Sequence, residues 1–406
     1  MIVSQFSSRS FLIACFLILL ACISCEENIA PDPGDDDGNP TTPKSPSEII
    51  SAYLNLELDA PANYSSPSLP AHYRTPMVEG NINTPANNPV TNDGATLGRV
   101  LFYDKQLSIN NTIACASCHT QATGFTDANR LSEGFEGGLT GAHSMRLGNT
   151  NYYSGAAMFW DKRAADLEEQ STQPIQDAIE MGFEAVLGGM DSLNNKLAST
   201  EYYPILFDRA FGSQEITEDR IQKALSQFIR SMVSTDSKFD QGLAEVFDAR
   251  NLRESMETDF PNFSTQENLG KRLFFAVGGQ GGMGGGNSCN TCHQAPTFAL
   301  SNNSRSNGLD RGESTVFKSP SLKNLAIVGN YMHDGRFESL REVIDHYAEG
   351  VQDGPALDQR LRLPGRNGTP ITLNLSEEER NALVAFLETL TDESLISDEK
   401  FSDPFK

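Results

Sequence analysis

The sequence predicts a mainly α-helical chain built from two similar units in tandem, and three observations lead there. Apolar residues recur at helical spacing in several segments, strand-like alternation is scarce, and one stretch is duplicated. The duplicated stretch is Leu97-Gly98-Arg99-Val100-Leu101-Phe102-Tyr103 and Leu269-Gly270-Lys271-Arg272-Leu273-Phe274-Phe275. A Cys-x-x-Cys-His pentad follows each copy, Cys115-Ala116-Ser117-Cys118-His119 and Cys289-Asn290-Thr291-Cys292-His293. The glycine-to-first-cysteine spacing is 17 residues in one and 19 in the other.

The pentad spacing attaches a c-type haem: two thiols bond the porphyrin vinyl groups and the adjacent histidine binds iron. A zinc site would need four ligands from each pentad region, and a redox dithiol would not need the following histidine twice. The chain is therefore expected to hold two covalently bound c-type haems. Cys115 and Cys118 anchor the first and Cys289 and Cys292 the second, with His119 and His293 as proximal ligands. Each copy then reads as one cytochrome c-like haem domain: a short helix, a loop with the cysteines, then more helices. The second loop carries the glycine-rich run from Gly278 to Gly286, expected to be flexible.

Other helices are legible from pattern. Ile221, Ala224, Leu225, Phe228, Ile229 and Met232 recur at helical spacing behind Glu218 and Asp219. Ser376-x-x-Glu379 is a capping box that opens a helix with Leu383, Phe386, Leu387 and Leu390 on its apolar face.

Residues Phe11 to Ile23 form an apolar run behind Arg9, too short to span a bilayer comfortably, and read as a secretory signal. Cys25 or Cys22 is the candidate lipidated residue. Cleavage before Cys25 leaves no spare thiol in the mature chain, whereas cleavage before Cys22 leaves Cys25 free in an oxidising compartment. Either choice places a membrane-anchored lipoprotein at the periplasmic side or cell envelope. Segments are drawn at 1–24 for the signal peptide, 25–50 for a proline- and acid-rich tether, 51–240 for the first haem domain and 241–396 for the second. A formal charge of −23 argues against nucleic acid and suits a surface that docks a basic redox protein.

The chain resembles the bacterial di-haem cytochrome c peroxidase family, which includes MauG-like enzymes, from roughly Asn92 to Thr391. Four matches carry the resemblance. They are the pentads with their Leu-Gly-x-x-Leu-Phe preludes, Phe159-Trp160-Asp161-Lys162-Arg163, Ile175-Gln176-Asp177-Ala178-Ile179-Glu180-Met181, and Tyr331-Met332-His333-Asp334-Gly335. The resemblance implies that Trp160, the only tryptophan, lies between the haems and relays charge. Lys162 replaces the family's usual glycine. Glu180 is implied as the general acid/base that moves a proton between peroxide oxygens. Gln176, four residues earlier on an expected helix, would face the same side and hydrogen-bond the peroxide.

The same resemblance bears on the sixth ligands. Thr120 to Ala142 contains no histidine, so the first haem is expected to be open. His143 takes the register of an asparagine that helps bind an interhaem Ca²⁺ in relatives, and histidine is a poor calcium ligand. Carbonyls of Ala326 to Asn330 could still contribute. For the second haem, counting fourteen residues from His333 reaches Tyr347, where MauG-like members use tyrosine and conventional peroxidases methionine. His346 and Met332 are the alternatives. Adjacent helical residues diverge by about 100°, so only one of His346 and Tyr347 can reach iron. His333 is expected to contact the haems from near their propionates, and His72 to be an exposed surface histidine.

Three functions follow as expectations. The first is reduction of hydrogen peroxide to water with electrons from a small exported cytochrome or cupredoxin. The second is a MauG-like oxidase acting on a protein or organic substrate, and the third a purely electron-carrying di-haem cytochrome. A homodimer is compatible with all three.

Overall fold

The computed structural model describes residues 43–155, 157–276, 288–299, 303–363 and 368–406. The leader, both candidate lipidated cysteines and the glycine-rich run lie outside the described residues. Among those described, helices supply the regular structure and strands are absent, with only isolated bridge pairs.

The duplicated Leu-Gly-x-x-Leu-Phe segment explains itself at the helix crossings. In the first copy it lies on the Asn92–Tyr103 helix, capped by the Thr91 hydroxyl and packed against the Glu218–Ser231 helix. In the second it lies on the Thr265–Phe275 helix, opened by a Ser264–Glu267 capping box and packed against Glu377–Glu388. A Cβ at Gly98 would collide with the Ala224 carbonyl, and one at Gly270 with the Ala382 carbonyl. Glycine is weak in a helix interior, but here it lets two backbones touch. The flanking leucine and phenylalanine then bury on both sides of the crossing.

Two apolar cores result. The first gathers Leu101, Phe102, Phe125 and Phe228; the second gathers Phe239, Phe274, Phe298 and Phe386. The tail crosses back, with Leu395 and Phe401 buried in the first core. Tyr103 OH donates to the Phe401 carbonyl at 2.6 Å, and Arg99 Nε to that of Ser402 at 2.6 Å. Leu395, drawn in the second segment from sequence, thus packs in the first core.

The tether expected to run to residue 50 gives way earlier to a helix. Ser45 and Glu48 form a capping box, Pro46 takes the first helical position, and Pro46–Tyr53 buries Ile50 in the first core. His72 also departs from expectation: it is buried, not exposed. Its Nε2 lies 3.5 Å from Asp240, which also pairs with the buried Lys323 and accepts the Ser237 hydroxyl. Burial alone would raise the Asp240 carboxyl; Lys323, His72 and Ser237 outweigh it and hold it low. Beside this cluster, Asp392 Oδ2 accepts from Ser234 Oγ, Thr235 N and Asp236 N. These two carboxylates fix the strap between the Glu218–Ser231 and Lys238–Val246 helices, where one core ends and the other begins.

Overpacking a crossing should be costly. Gly270→Val is expected to destabilise the haem-loaded protein by roughly 1–3 kcal/mol, read as a lower urea midpoint. An unchanged midpoint would mean that the helices have room to separate.

Candidate haem sites and the groups around them

Each pentad sits in the same local frame. Cys115–Cys118 is one helical turn, and the His119 amide donates to the Cys115 carbonyl at 2.9 Å. Cys289–Thr291 is a tighter turn, and the His293 amide donates to the Cys289 carbonyl at 3.0 Å. A phenylalanine of positive φ follows in both, Phe125 at 60° and Phe298 at 54°. The Thr120–Thr126 and Gln294–Ala299 bridges close the two loops.

These loops orient the histidines. His119 Nδ1 is 3.0 Å from the Phe125 carbonyl and 3.1 Å from Ser144 Oγ, an arrangement that leaves Nε2 to face iron. His293 Nδ1 is 3.3 Å from Ser319 Oγ, and the Phe298 carbonyl also hydrogen-bonds this imidazole. Burial lowers both histidines, His293 to about 4, so each ring is neutral and able to ligate. A cavity of about 230 Å³ opens at the second pentad, lined by Cys289, Cys292, His293, Phe274, Leu383 and Tyr347. Two thiols, an oriented imidazole and an apolar wall fit a covalently held haem.

The duplication extends further than the pentads. Met158 to Ala164 and Tyr331 to Phe337 are matching reverse turns, each closed by a bridge between its end residues. Phe159 and Met332 have φ of 66° and 73°, and Lys162 and Gly335 of 61° and 68°. Lys162 therefore holds a left-handed conformation that glycine adopts freely, while its Nζ donates to the Ser304 carbonyl at 2.5 Å. Trp160 and His333 occupy equivalent places.

The two copies exchange backbone hydrogen bonds through these turns. The His143 amide donates to the His333 carbonyl at 2.9 Å, and the Lys318 amide to the Trp160 carbonyl at 2.8 Å. Trp160 Nε1 adds a bond to the His143 carbonyl at 2.7 Å. Trp160 and His333 both reach the cavity wall, and His333 stacks on Phe317 at 4.1 Å. Trp160, His143 and His333 are thus brought together where the copies meet.

Both ring nitrogens of His143 are engaged, Nδ1 by the Arg130 carbonyl and Nε2 by the Thr126 hydroxyl, each at 3.1 Å. The Val328 carbonyl, in the segment expected to offer calcium ligands, accepts instead from Arg146 at 3.0 Å. Arg146 lies over the Tyr331 ring and also reaches the Leu325 carbonyl. Arg146 and Lys318 were not singled out from sequence. Lys318 is buried on the cavity wall against Met158 Sδ at 3.1 Å and over the Tyr153 ring, and burial lowers its amine to about 7.

Glu180 and Gln176 do not share a helix face. The Leu167–Gln176 helix ends at Gln176, and Glu180 sits in the following turn, where Asp177 Oδ1 accepts from the amides of Ile179 and Glu180. Gln176 is exposed and donates to Glu218 Oε1 at 3.0 Å and to the Thr172 carbonyl. The expectation that it stands beside Glu180 fails, because Pro174 and the Asp177 turn stop the helix first. Glu180 is only partly exposed, and burial with the Asp177 charge raises its carboxyl to about 7, Arg163 opposing. Its charge also raises the thiols of Cys115 and Cys118, which places it at the first pentad.

The second pentad faces the end of the Leu340–Asp345 helix, which continues into one π-helical turn, His346–Gly350. Tyr347 lines the cavity with His293, whereas His346 points its Nε2 at the Asn307 carbonyl, 3.2 Å away. The Asn307 amide donates to Met332 Sδ at 3.1 Å, and its side chain also hydrogen-bonds the Tyr347 phenol. Of the three candidate ligands, His346 has its free nitrogen turned elsewhere.

A family model described as di-haem cytochrome c peroxidase matches residues 92–246 and 264–360. The methylamine utilization protein MauG of Methylophilus methylotrophus is 31% identical over 322 residues, covering 76% of this chain and 85% of that one. Cytochrome c551 peroxidase of Nitrosomonas europaea is 30% identical over 327 residues, covering 75% and 82%. The crystal structure of a MauG-like protein associated with microbial copper homeostasis superposes with a TM-score of 0.66 at 29% identity, covering 84% and 99%.

Replacing Cys115 and Cys118 by alanine should halve the haem bound per chain, measured by absorbance. The same change at Cys289 and Cys292 should do likewise. Full haem content in either variant would contradict the assignment.

Proposed function

The chain belongs to the di-haem cytochrome c peroxidase family, and we propose that it reduces hydrogen peroxide to water with electrons from a small exported cytochrome or cupredoxin. The reaction is H₂O₂ + 2 e⁻ + 2 H⁺ → 2 H₂O. The chain carries two c-type haems, which supply an iron that accepts peroxide and a second centre that stores or passes electrons. We place the first on Cys115, Cys118 and His119 and the second on Cys289, Cys292 and His293. Residues 51–240 would form the peroxide-reducing unit and 241–396 the electron-transfer unit.

The observation that carries this reading is Glu180. Cleaving an O–O bond heterolytically requires one peroxide oxygen to lose a proton and the other to gain it. A partly buried carboxyl raised to about 7 beside the first pentad can do both at neutral pH. Trp160, bonded through Nε1 to His143 and through its carbonyl to Lys318, would carry charge between the haems. His333, its repeat equivalent, would hold the opposite side of that contact.

A second reading rests on Tyr347. Its place on the cavity wall beside His293 suits a phenolate ligand, which lowers a haem's potential relative to methionine and favours holding oxidising equivalents. This supports a MauG-like oxidase that removes electrons from a protein or organic substrate. The leader would carry the enzyme to the periplasmic side and anchor it through Cys25 or Cys22. Among the described residues no helix is long and apolar enough to cross a membrane.

Glu180→Gln should lower kcat/KM for peroxide by roughly 10²–10⁴-fold. The wild-type value should rise with pH through about 7, as the carboxyl loses its proton and becomes able to accept one. That inflection should vanish in the variant. Wild-type turnover in Glu180→Gln would defeat the assignment.

A further inference from the structure

Three tyrosines link the first pentad to the surface. Tyr203 is fully buried, and the Cys115 thiol is among the groups that raise its phenol, after burial and Asp104. The Tyr203 ring lies 4.7 Å from that of Tyr202, centroid to centroid, and Tyr202 lies 5.3 Å from Tyr53. Tyr53 ends the Pro46–Tyr53 helix and is 40% exposed. Rings at these separations are in contact, and electron tunnelling falls steeply with distance, so each step is short.

A carboxylate serves every phenol in the series. Asp104 Oδ2 accepts from Tyr203 at 2.8 Å and from Tyr202 at 2.9 Å, and Glu201 Oε2 accepts from Tyr53 at 2.7 Å. Asp104 is itself buried at 5% exposure, at the end of the Asn92–Tyr103 helix. Packing alone does not call for a base on each ring. An oxidised phenol is a strong acid, and a tyrosine can relay charge only if its proton has somewhere to go and return from.

We propose that Tyr203, Tyr202 and Tyr53 form a second redox conduit, through which a small phenolic donor at the Tyr53 surface delivers electrons to the first haem. The proposal rests on the peroxide-reducing role above. Tyr203 gives one electron inward and its proton to Asp104. Tyr202 then restores Tyr203, the proton returning from Asp104 as the Tyr202 proton takes its place. Tyr53 restores Tyr202 in the same way and passes its own proton to Glu201. The donor phenol gives one electron to the Tyr53 phenoxyl, which recovers its proton from Glu201, and leaves as a phenoxyl radical with its proton released to solvent. Two passages match the two electrons that one hydrogen peroxide takes.

The test uses the full-length, haem-loaded protein with hydrogen peroxide, a nitroso spin trap and peptide mass spectrometry. The expected result is a trap adduct on Tyr53 that is lost in both Tyr53→Phe and Tyr202→Phe. Peroxide turnover with 2,6-dimethoxyphenol should be lost in both variants, while turnover with reduced cytochrome c is retained. Tyr53→Phe changes only a partly exposed ring, and haem content checks folding in each variant. An adduct on Tyr53 that persists in Tyr202→Phe would overturn the conduit, as would its absence from wild-type protein that consumes peroxide. Wild-type protein that consumes no peroxide would overturn the peroxidase role and the conduit together.

Discussion

The reciprocal hydrogen bonds between the two copies are the constraint on which the site depends. The His143 amide reaches the His333 carbonyl, and the Lys318 amide reaches the Trp160 carbonyl. His143 and Lys318 each stand immediately before the serine that contacts a proximal histidine, Ser144 for His119 and Ser319 for His293. One short stretch in each copy thus positions its own ligand and grips the other copy's turn. A shift at this contact would move Trp160 and both imidazoles together.

Around that nearly symmetric frame the two pentads have unequal surroundings. The first has a partly buried carboxyl near it, raised toward neutrality by burial and by Asp177. The second has Tyr347 on its cavity wall and Asn307 joining Tyr347, His346 and Met332. One environment suits moving protons at a reacting centre, and the other suits closing an iron and tuning it. The difference comes from loops inserted on a shared frame, not from the frame.

Much of that frame was legible in the amino-acid sequence, because its signals are local. The pentads, the glycines at the two helix crossings and the capping box at Ser376 each state their role within a few residues. Where expectation failed, the deciding contact came from far along the chain. His72 is buried because Asp240 and Lys323, more than 150 residues away, form a charged pocket for it. Gln176 turns to Glu218 on a neighbouring helix, and Asp177 ends its own helix before Glu180. The equivalence of Trp160 and His333 could have been found sooner, since Asp161-x-Arg163 and Asp334-x-Arg336 share a spacing. Lys318 and Arg146 gave no local signal, for their roles depend on carbonyls and rings supplied by the other copy.

The central claim is that two matching motifs hold two unequal haems, one open to peroxide and one closed. Electron paramagnetic resonance of the purified, oxidised protein tests it most directly. One high-spin ferric signal from the first haem beside one low-spin signal from the second is the predicted spectrum. Two low-spin signals, with no change on adding peroxide, would contradict it.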